Sequence, residues 1–286
     1  MMIILDQPEE IVLSEIINMH QDVICHGYSD GQVQLSATGG QPMYSFTQVP
    51  GLTQSSSLFV GLVAGNYTYV VTDANSCADS LNINVIEPAP IILAEDLNQH
   101  QDVVCYNGND GQFSVSASGG TPFYIYTLNG VNSQNSGLYV NLTAGNYQLL
   151  ATDINACDSD TFEIIITEPI QGVSLLEDIS FHQDVLCSSD STGVMAVIAI
   201  GGTPGYMYSL DQVNWQVQDI FNDLPADLHT VFVSDSNSCM NQISIEITEP
   251  QMLSGNLFTT QVSCFGFSDA SVSSFIQGGV MPYSYV

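Results

Sequence analysis

The chain has 286 residues, of which 30 are Asp or Glu and none is Lys or Arg, for a formal net charge of −30. Nucleic-acid binding and docking to an anionic membrane both need basic side chains, and a phosphate-binding loop needs its Lys, so all three are excluded. With 45% hydrophobic and 9% aromatic residues the chain can build folded cores, and its length suits more than one domain.

The cysteines show an internal repeat. They stand at 25, 77, 105, 157, 187, 239 and 264. Cys25 and Cys77, Cys105 and Cys157, and Cys187 and Cys239 are each 52 residues apart. Other residues keep register with the first cysteine of each pair. A Gly-Gly pair recurs at Gly39-Gly40, Gly119-Gly120, Gly201-Gly202 and Gly278-Gly279, followed by Tyr44, Tyr124, Tyr206 and Tyr283. Each unit closes on Glu-Pro, at Pro88, Pro169 and Pro250, and Pro8 fits the same slot. The expected organisation is therefore residues 1–8 as the tail of a preceding repeat, then repeats at 9–88, 89–169 and 170–250. Residues 251–286 read as the N-terminal part of a fourth, and the whole as a window on a longer array.

Within a unit the periodicity is β. Gln112 to Ser118 alternates apolar and polar residues as a half-buried strand does. Pro122 to Leu128 reads as an aromatic-rich strand and Gly137 to Leu142 as a short one. Tyr147–Thr152 and Thr161–Thr167 read as a hairpin around Asp153–Asp158. Turn residues recur every 8–12 positions, and no amphipathic helix is evident. Seven or so short strands per unit predict an all-β protein of tandem immunoglobulin-like β-sandwich repeats of about 80 residues, arranged end to end. No apolar run reaches the roughly 20 residues of a membrane helix, so no direct membrane insertion is expected.

The stretches CFGFSDASV, GGTPFYIYTLNG, LTAGNYQLLATDINAC and the closing ITEP resemble the SprB-type repeat of Bacteroidota cell-surface proteins. Unit three departs from the pattern at Thr192, Asp227 and His229. The resemblance implies very large secreted adhesins, exported by the type IX system and in some cases used in gliding, at the extracellular or outer cell surface. The expected role is a structural stalk, not an enzyme. Two alternatives are a glycan- or surface-binding module and a subunit of a self-assembling filament. The expected partners are neighbouring repeats, extracellular glycans or surfaces, and other copies of the chain.

Even cysteine pairs at fixed spacing suggest disulfides and an oxidising compartment. The first expectation pairs Cys25 with Cys77, Cys105 with Cys157 and Cys187 with Cys239, leaving Cys264 without its partner. Standard immunoglobulin topology, however, puts the two cysteines of a unit at opposite ends. A second pairing therefore crosses between units, as Cys25–Cys157 and Cys105–Cys239.

With no Lys or Arg, each carboxylate must be solvated, capped by backbone N–H groups, paired with a His or met by a cation. Asp73 and Asn75, with Asp153 and Asn155, and Asp235 and Asn237, read as Asx-turns closing hairpins. Calcium ligation is a second reading of the same oxygens, and no other cofactor is expected. A His-Gln-Asp triplet recurs as His20 and Asp22, His100 and Asp102, and His182 and Asp184, and is expected to contact the neighbouring repeat. Tyr67 and Tyr147 are expected to anchor a strand as a tyrosine corner does. Each Tyr-x-aromatic pair from Tyr44, Tyr124 and Tyr206 is expected to face the core, with a sugar platform as the alternative.

Overall fold

The computed structural model describes residues 7–51 and 53–285. Of the expected preceding tail, residues 1–6 lie outside the described residues. In the first repeat β1 (Val12–Glu15), β2 (Gly31–Thr38) and β5 (Leu58–Leu62) form one sheet in the order β1-β2-β5. The second sheet runs β4-β3-β6-β7, from β4 (Thr53–Gln54), β3 (Ser45–Val49), β6 (Gly65–Thr72) and β7 (Ala78–Val85). All these pairings are antiparallel. Two such sheets make the immunoglobulin-like sandwich that the strand count predicted.

Period-2 alternation fills the space between the sheets. Val33 and Leu35 of β2 meet Phe46, Tyr69, Val71, Ile83 and Val85 of the facing sheet, while the residues between them point outward. A sandwich of this size has a small core, so its turns and covalent bonds matter more than in a larger domain.

The plan recurs. The second repeat has β8 (Ile92–Glu95), β9 (Gly111–Ser118), β10 (Ile125–Leu128), β11 (Asn132–Gln134), β12 (Leu138–Leu142), β13 (Gly145–Thr152) and β14 (Phe162–Ile166). Its sheets are β12-β9-β8 and β11-β10-β13-β14. The third has β15 (Ser174–Glu177), β16 (Gly193–Ile200), β17 (Met207–Ser209), β18 (Ile220–Leu224), β19 (Asp227–Ser234) and β20 (Met240–Ile247), in sheets β15-β16-β18 and β17-β19-β20. Finally β21 (Ser254–Thr260) pairs with β22 (Ser271–Gln277), matching the β1–β2 pair.

The chain divides into two compact units. One holds the chain up to Gln101 with Gln112–Asn141 and Gly145–Ile166. The other holds Asp102–Gly111, Leu142–Ala144 and the chain from Thr167. No helix among the described residues is long and apolar enough to cross a membrane.

Candidate functional site: the cysteine junction between repeats

The site is best built from the loop that carries the first cysteine. After β1 the chain makes a short 3₁₀ turn, Ile17–Met19, and then pairs again with β2 through reciprocal Gln21–Gln32 hydrogen bonds of 2.9 and 2.8 Å. Val23 N–H then donates to Ile86 O at the end of β7. This crossing from one sheet to the other is where His-Gln-Asp sits. His20 Nδ1 meets the Glu15 carboxylate, and Nε2 lies 3.0 Å from Asp22 Oδ1. The same Asp22 oxygen accepts Ile86 N–H at 2.8 Å. The second and third copies repeat the device: Thr167 N–H donates to Asp102 and Thr248 N–H to Asp184. His100 contacts Glu95, and His182 contacts Glu177.

The bonds of His20, Asp22, His182 and Asp184 therefore lie inside their own repeats, which corrects the expected inter-repeat contact at those four, and His100 and Asp102 make the corresponding bonds to Glu95 and Thr167. The reason is the strand crossing. It leaves the end of β7 without a ladder partner, and the Asp supplies an acceptor there. Hydrogen bonds that His20 donates to Glu15 and then to Asp22 raise its pKa above the ordinary value. For His182 burial acts to lower the pKa, but hydrogen bonds with Glu177 and Asp184 carry it upward. Asp22 is held below the usual carboxylate range: burial opposes this, while the Ile86 N–H and His20 favour it.

The first-cysteine loop is tied down twice. Ile24 N–H donates to Asp30 Oδ1 at 3.1 Å, and Gly27 N–H to Glu87 Oε2 at 2.6 Å. Glu87 belongs to the closing Glu-Pro. Glu168 and Glu249 repeat its role on Asn107 and Ser189. Asp110 and Asp269 repeat that of Asp30. In the third repeat Thr192 replaces the Asp, and its Oγ1 still accepts Leu186 N–H at 2.9 Å.

The second cysteine sits on a turn built around a buried Asp. Asp153 is only 4% exposed. Its Oδ1 accepts Asn155 and Cys157 N–H, both at 2.9 Å, and its Oδ2 accepts Thr121 N–H at 2.8 Å. Asp73 and Asp235 make the same three bonds, to Asn75, Cys77 and Gln41, and to Asn237, Cys239 and Thr203. Chiefly through the Gln41 N–H, the Asp73 carboxyl is held below its ordinary pKa. Both oxygens of each Asp thus face N–H donors, the geometry of a turn clamp. Asn155 Nδ2 is occupied as well, donating to Thr121 Oγ1. No cluster of three His, Cys, Asp or Glu suited to a metal occurs among the described residues.

The Gly-Gly turn beside this clamp holds the linker that enters the repeat. Gly40 N–H donates to Glu9 O at 2.8 Å, and Gly120 to Ala89 O at 2.7 Å. Gly119 has φ +84, and a Cβ there would lie 2.0 Å from Pro90 O, so only glycine fits. The recurrent tyrosine closes the turn: Tyr44, Tyr124, Tyr206 and Tyr283 each donate to the first glycine's carbonyl.

Linker, glycine turn and second-cysteine turn form one end of each sandwich, and the bonds fall there. Cys25 is bonded to Cys157, and Cys105 to Cys239. Cys77, Cys187 and Cys264 are free and exposed. The expected pairings within a repeat, Cys25–Cys77, Cys105–Cys157 and Cys187–Cys239, are therefore corrected. Register gives the reason. The start of β2 lies beside the end of β5, with Gly31 opposite Leu62. That is where β6 also begins, so Cys77, past the far end of β6, is a strand length away. Eight residues of strand span about 26 Å, whereas a disulfide needs Cα atoms within about 7 Å. The first-cysteine loop reaches the second-cysteine turn of the following repeat instead. Around the bond a cavity of about 230 Å³ is lined by Cys25, His26 and Tyr28 on one side and by Pro88, Ile91, Gly120 and Cys157 on the other. At the second bond Asn237 Nδ2 donates to Val104 O at 3.4 Å, and the Tyr106 ring lies against Gly172.

The remaining aromatic candidates divide. Phe46, Tyr126 and Tyr208 are buried, which removes their rings from any sugar platform. Tyr67 O–H donates to Val63 O four residues back, and in the third repeat His229 Nε2 makes the same bond to Pro225 O. What the sequence did not yield was the partnership of Glu-Pro with the first-cysteine loop and of Gly-Gly with the linker. Both signals were present as recurrences, but neither carries its partner's address.

The sheets and the bonds joining them define the class: a tandem immunoglobulin-like β-sandwich repeat protein with disulfides between repeats. The SprB repeat family model matches residues 20–53 and 97–133, one stretch in each of the first two repeats. No curated protein matches the chain in sequence. Among solved structures, the fibronectin(III)-like modules of Clostridium thermocellum CbhA are 13% identical, with 55% of this chain and 94% of that one covered at a TM-score of 0.27. The N-terminal eight Ig domains of the Down Syndrome Cell Adhesion Molecule are 14% identical, with 84% and 37% covered at 0.37. Domains 4–9 of surface layer protein SbsC are 11% identical, with 89% and 49% covered at 0.26. At these scores the likenesses add nothing to the topology above.

Proposed function

We propose that this chain is part of the stalk of a large secreted cell-surface adhesin, of the kind exported by the type IX system and in some members used in gliding. The observation that carries the reading is the Cys25–Cys157 bond, which links one repeat to the next. A spacer has to keep its length when pulled, and a bond between successive repeats shortens the chain that can be drawn out. Its neighbours along the array are then its principal partners. The SprB repeat matches and the buried rings support this reading over glycan capture.

Pulling the chain by its ends in a force spectrometer tests it. Between Cys25 and Cys239 the shortest covalent path crosses to Cys157, runs back along the chain to Cys105 and crosses to Cys239, which leaves only the 52 residues between Cys105 and Cys157 to be drawn out. Reduction should therefore add about 160 residues of contour, roughly 570 Å at about 3.5 Å per residue. Equal contour lengths with and without reductant would remove the mechanical basis of the proposal. A glycan array probed with the same chain is expected to stay silent.

A further inference from the structure

Cys77 is a second-type cysteine, like Cys157 and Cys239, yet its thiol is free and exposed. Beside it lies an open cleft of about 510 Å³. The cleft is lined by Pro8, Glu9, Ile11, Gly40, Cys77 and Ala78. Each of these stands 80 positions before a residue lining the cavity at Cys157: Pro88, Ala89, Ile91, Gly120, Cys157 and Asp158. In that second place the surface is already engaged, with Cys25, His26 and Tyr28 of the first-cysteine loop completing its wall. The clamps that shape it are equally present at Cys77, through Asp73 to Gln41, Asn75 and Cys77, and through Gly40 to Glu9.

We infer that the cleft beside Cys77 is a docking socket for the first-cysteine loop of a further SprB-type repeat. The socket positions that loop's thiol for a bond to Cys77 as Cys25 is bonded to Cys157. The inference deepens the stalk reading and rests on it for the oxidising setting. Joining two thiols removes two electrons and two protons, so a disulfide-class oxidant must accept them and leave as two thiols. In exchange form, the Cys77 thiolate attacks the loop sulfur of a mixed disulfide. The new S–S bond forms as the old one breaks, and the leaving thiolate takes the electron pair and a proton from water. Glu9 and Glu10 border the cleft, which favours a loop carrying His, such as Cys25-His26, over the acidic loop after Cys187.

The test uses the full chain and a peptide of sequence QDVICHGYS, residues 21–29, with its cysteine activated as a 2-pyridyl disulfide. Release of pyridine-2-thione gives the rate, and peptide mass spectrometry gives the site. Cys187 and Cys264 serve as internal controls, because both are first-type cysteines whose thiols are also free and exposed. Labelling of Cys77 is expected to run at least tenfold faster than at either control, and the preference should disappear with a scrambled peptide of the same composition. Equal labelling of the three thiols, or a preference for Cys77 that the scrambled peptide shares, would overturn the socket. Either result would leave the contour-length test of the stalk unaffected, so the two failures are distinguishable.

Discussion

Cys25 and Cys157 are bonded although 132 positions separate them in sequence. Each residue belongs to a different repeat, and each is presented by a turn whose amides are held by carboxylates. Closing a loop of that size stabilises the folded state by about 5 kcal/mol in the chain-entropy model. Replacing Cys25 and Cys157 together by Ser should lower the midpoint of thermal unfolding for the first two repeats. Peptide mapping without reduction is the direct check. Because the chain lacks Lys and Arg, cleavage at both Asp and Glu is required, which puts each cysteine on its own peptide. The cross-linked peptides should join Cys25 with Cys157 and Cys105 with Cys239, and a thiol assay should count three free groups. A peptide joining Cys25 with Cys77 would contradict the topology.

Asp153 gathers three backbone N–H groups onto one buried carboxylate, and in doing so ties the cysteine turn to the glycine turn. Asp153→Ala leaves those donors without an acceptor and should cost about 3 kcal/mol, read from urea unfolding. Asp153→Asn should lie between, since an amide oxygen can still accept. The same oxygens are the ones a calcium ion would need. Adding calcium or a chelator is therefore expected to leave the melting temperature unchanged, and a calcium-dependent rise would favour the ligand reading of Asp73, Asp153 and Asp235.

The strands were legible because alternation along β2 and β9 is a local property, and one face of each must be buried. The Asx-turns at Asp73 and Asp153 were legible for a similar reason: a short carboxylate two residues before an amide finds it within one turn. The pairing of Cys25 was not legible from spacing. Which end of a sandwich a residue reaches depends on how the strands order in space, and equal intervals of 52 residues fit both pairings. His20 misled for the opposite reason. It recurs once per repeat, as a contact between repeats would, but its partners Glu15 and Asp22 lie within five residues. The largest single effect of composition was foreseeable in outline. With no cationic side chains but His, the backbone amides supply the positive ends, as at Asp22, Glu87 and Asp153.

Tyr69 is fully buried and its hydroxyl has no hydrogen-bond partner among the described residues. Burial pushes its pKa up to about 12. The corresponding positions of the other repeats carry Leu149 and Val231, both buried and apolar. Tyr69→Phe removes the unpaired oxygen and keeps the ring against Phe59, so it should be neutral or stabilising by up to about 1 kcal/mol. Tyr44→Phe is the contrasting variant. It deletes the bond to Gly39 O and should cost about 1 kcal/mol. Chemical denaturation of the two variants side by side decides the matter, and equal losses would show that the Tyr69 hydroxyl is satisfied after all.

The sheet crossing at His20 gives stability a dependence on pH with a definite sign. A histidine whose pKa is raised on folding stabilises fully below its unfolded value near 6.5, and that contribution is lost as pH rises through the folded value. Asp22, whose pKa is lowered, contributes above its unfolded value near 3.8 and loses that contribution as pH falls through the folded one. The two limbs predict greatest stability in the mildly acidic range between them, with a decline toward pH 8. Self-repulsion among the carboxylates has the same sign, since it grows as the last protons leave. The two causes separate by mutation. His20→Gln keeps a polar side chain at the crossing but cannot titrate, so it should flatten the first repeat's share of the decline above pH 6 while leaving the acid limb in place. Melting curves from pH 4 to 9, with His182→Gln as a second case in the third repeat, would show this. An unchanged alkaline slope in both variants would assign the decline to general charge repulsion instead.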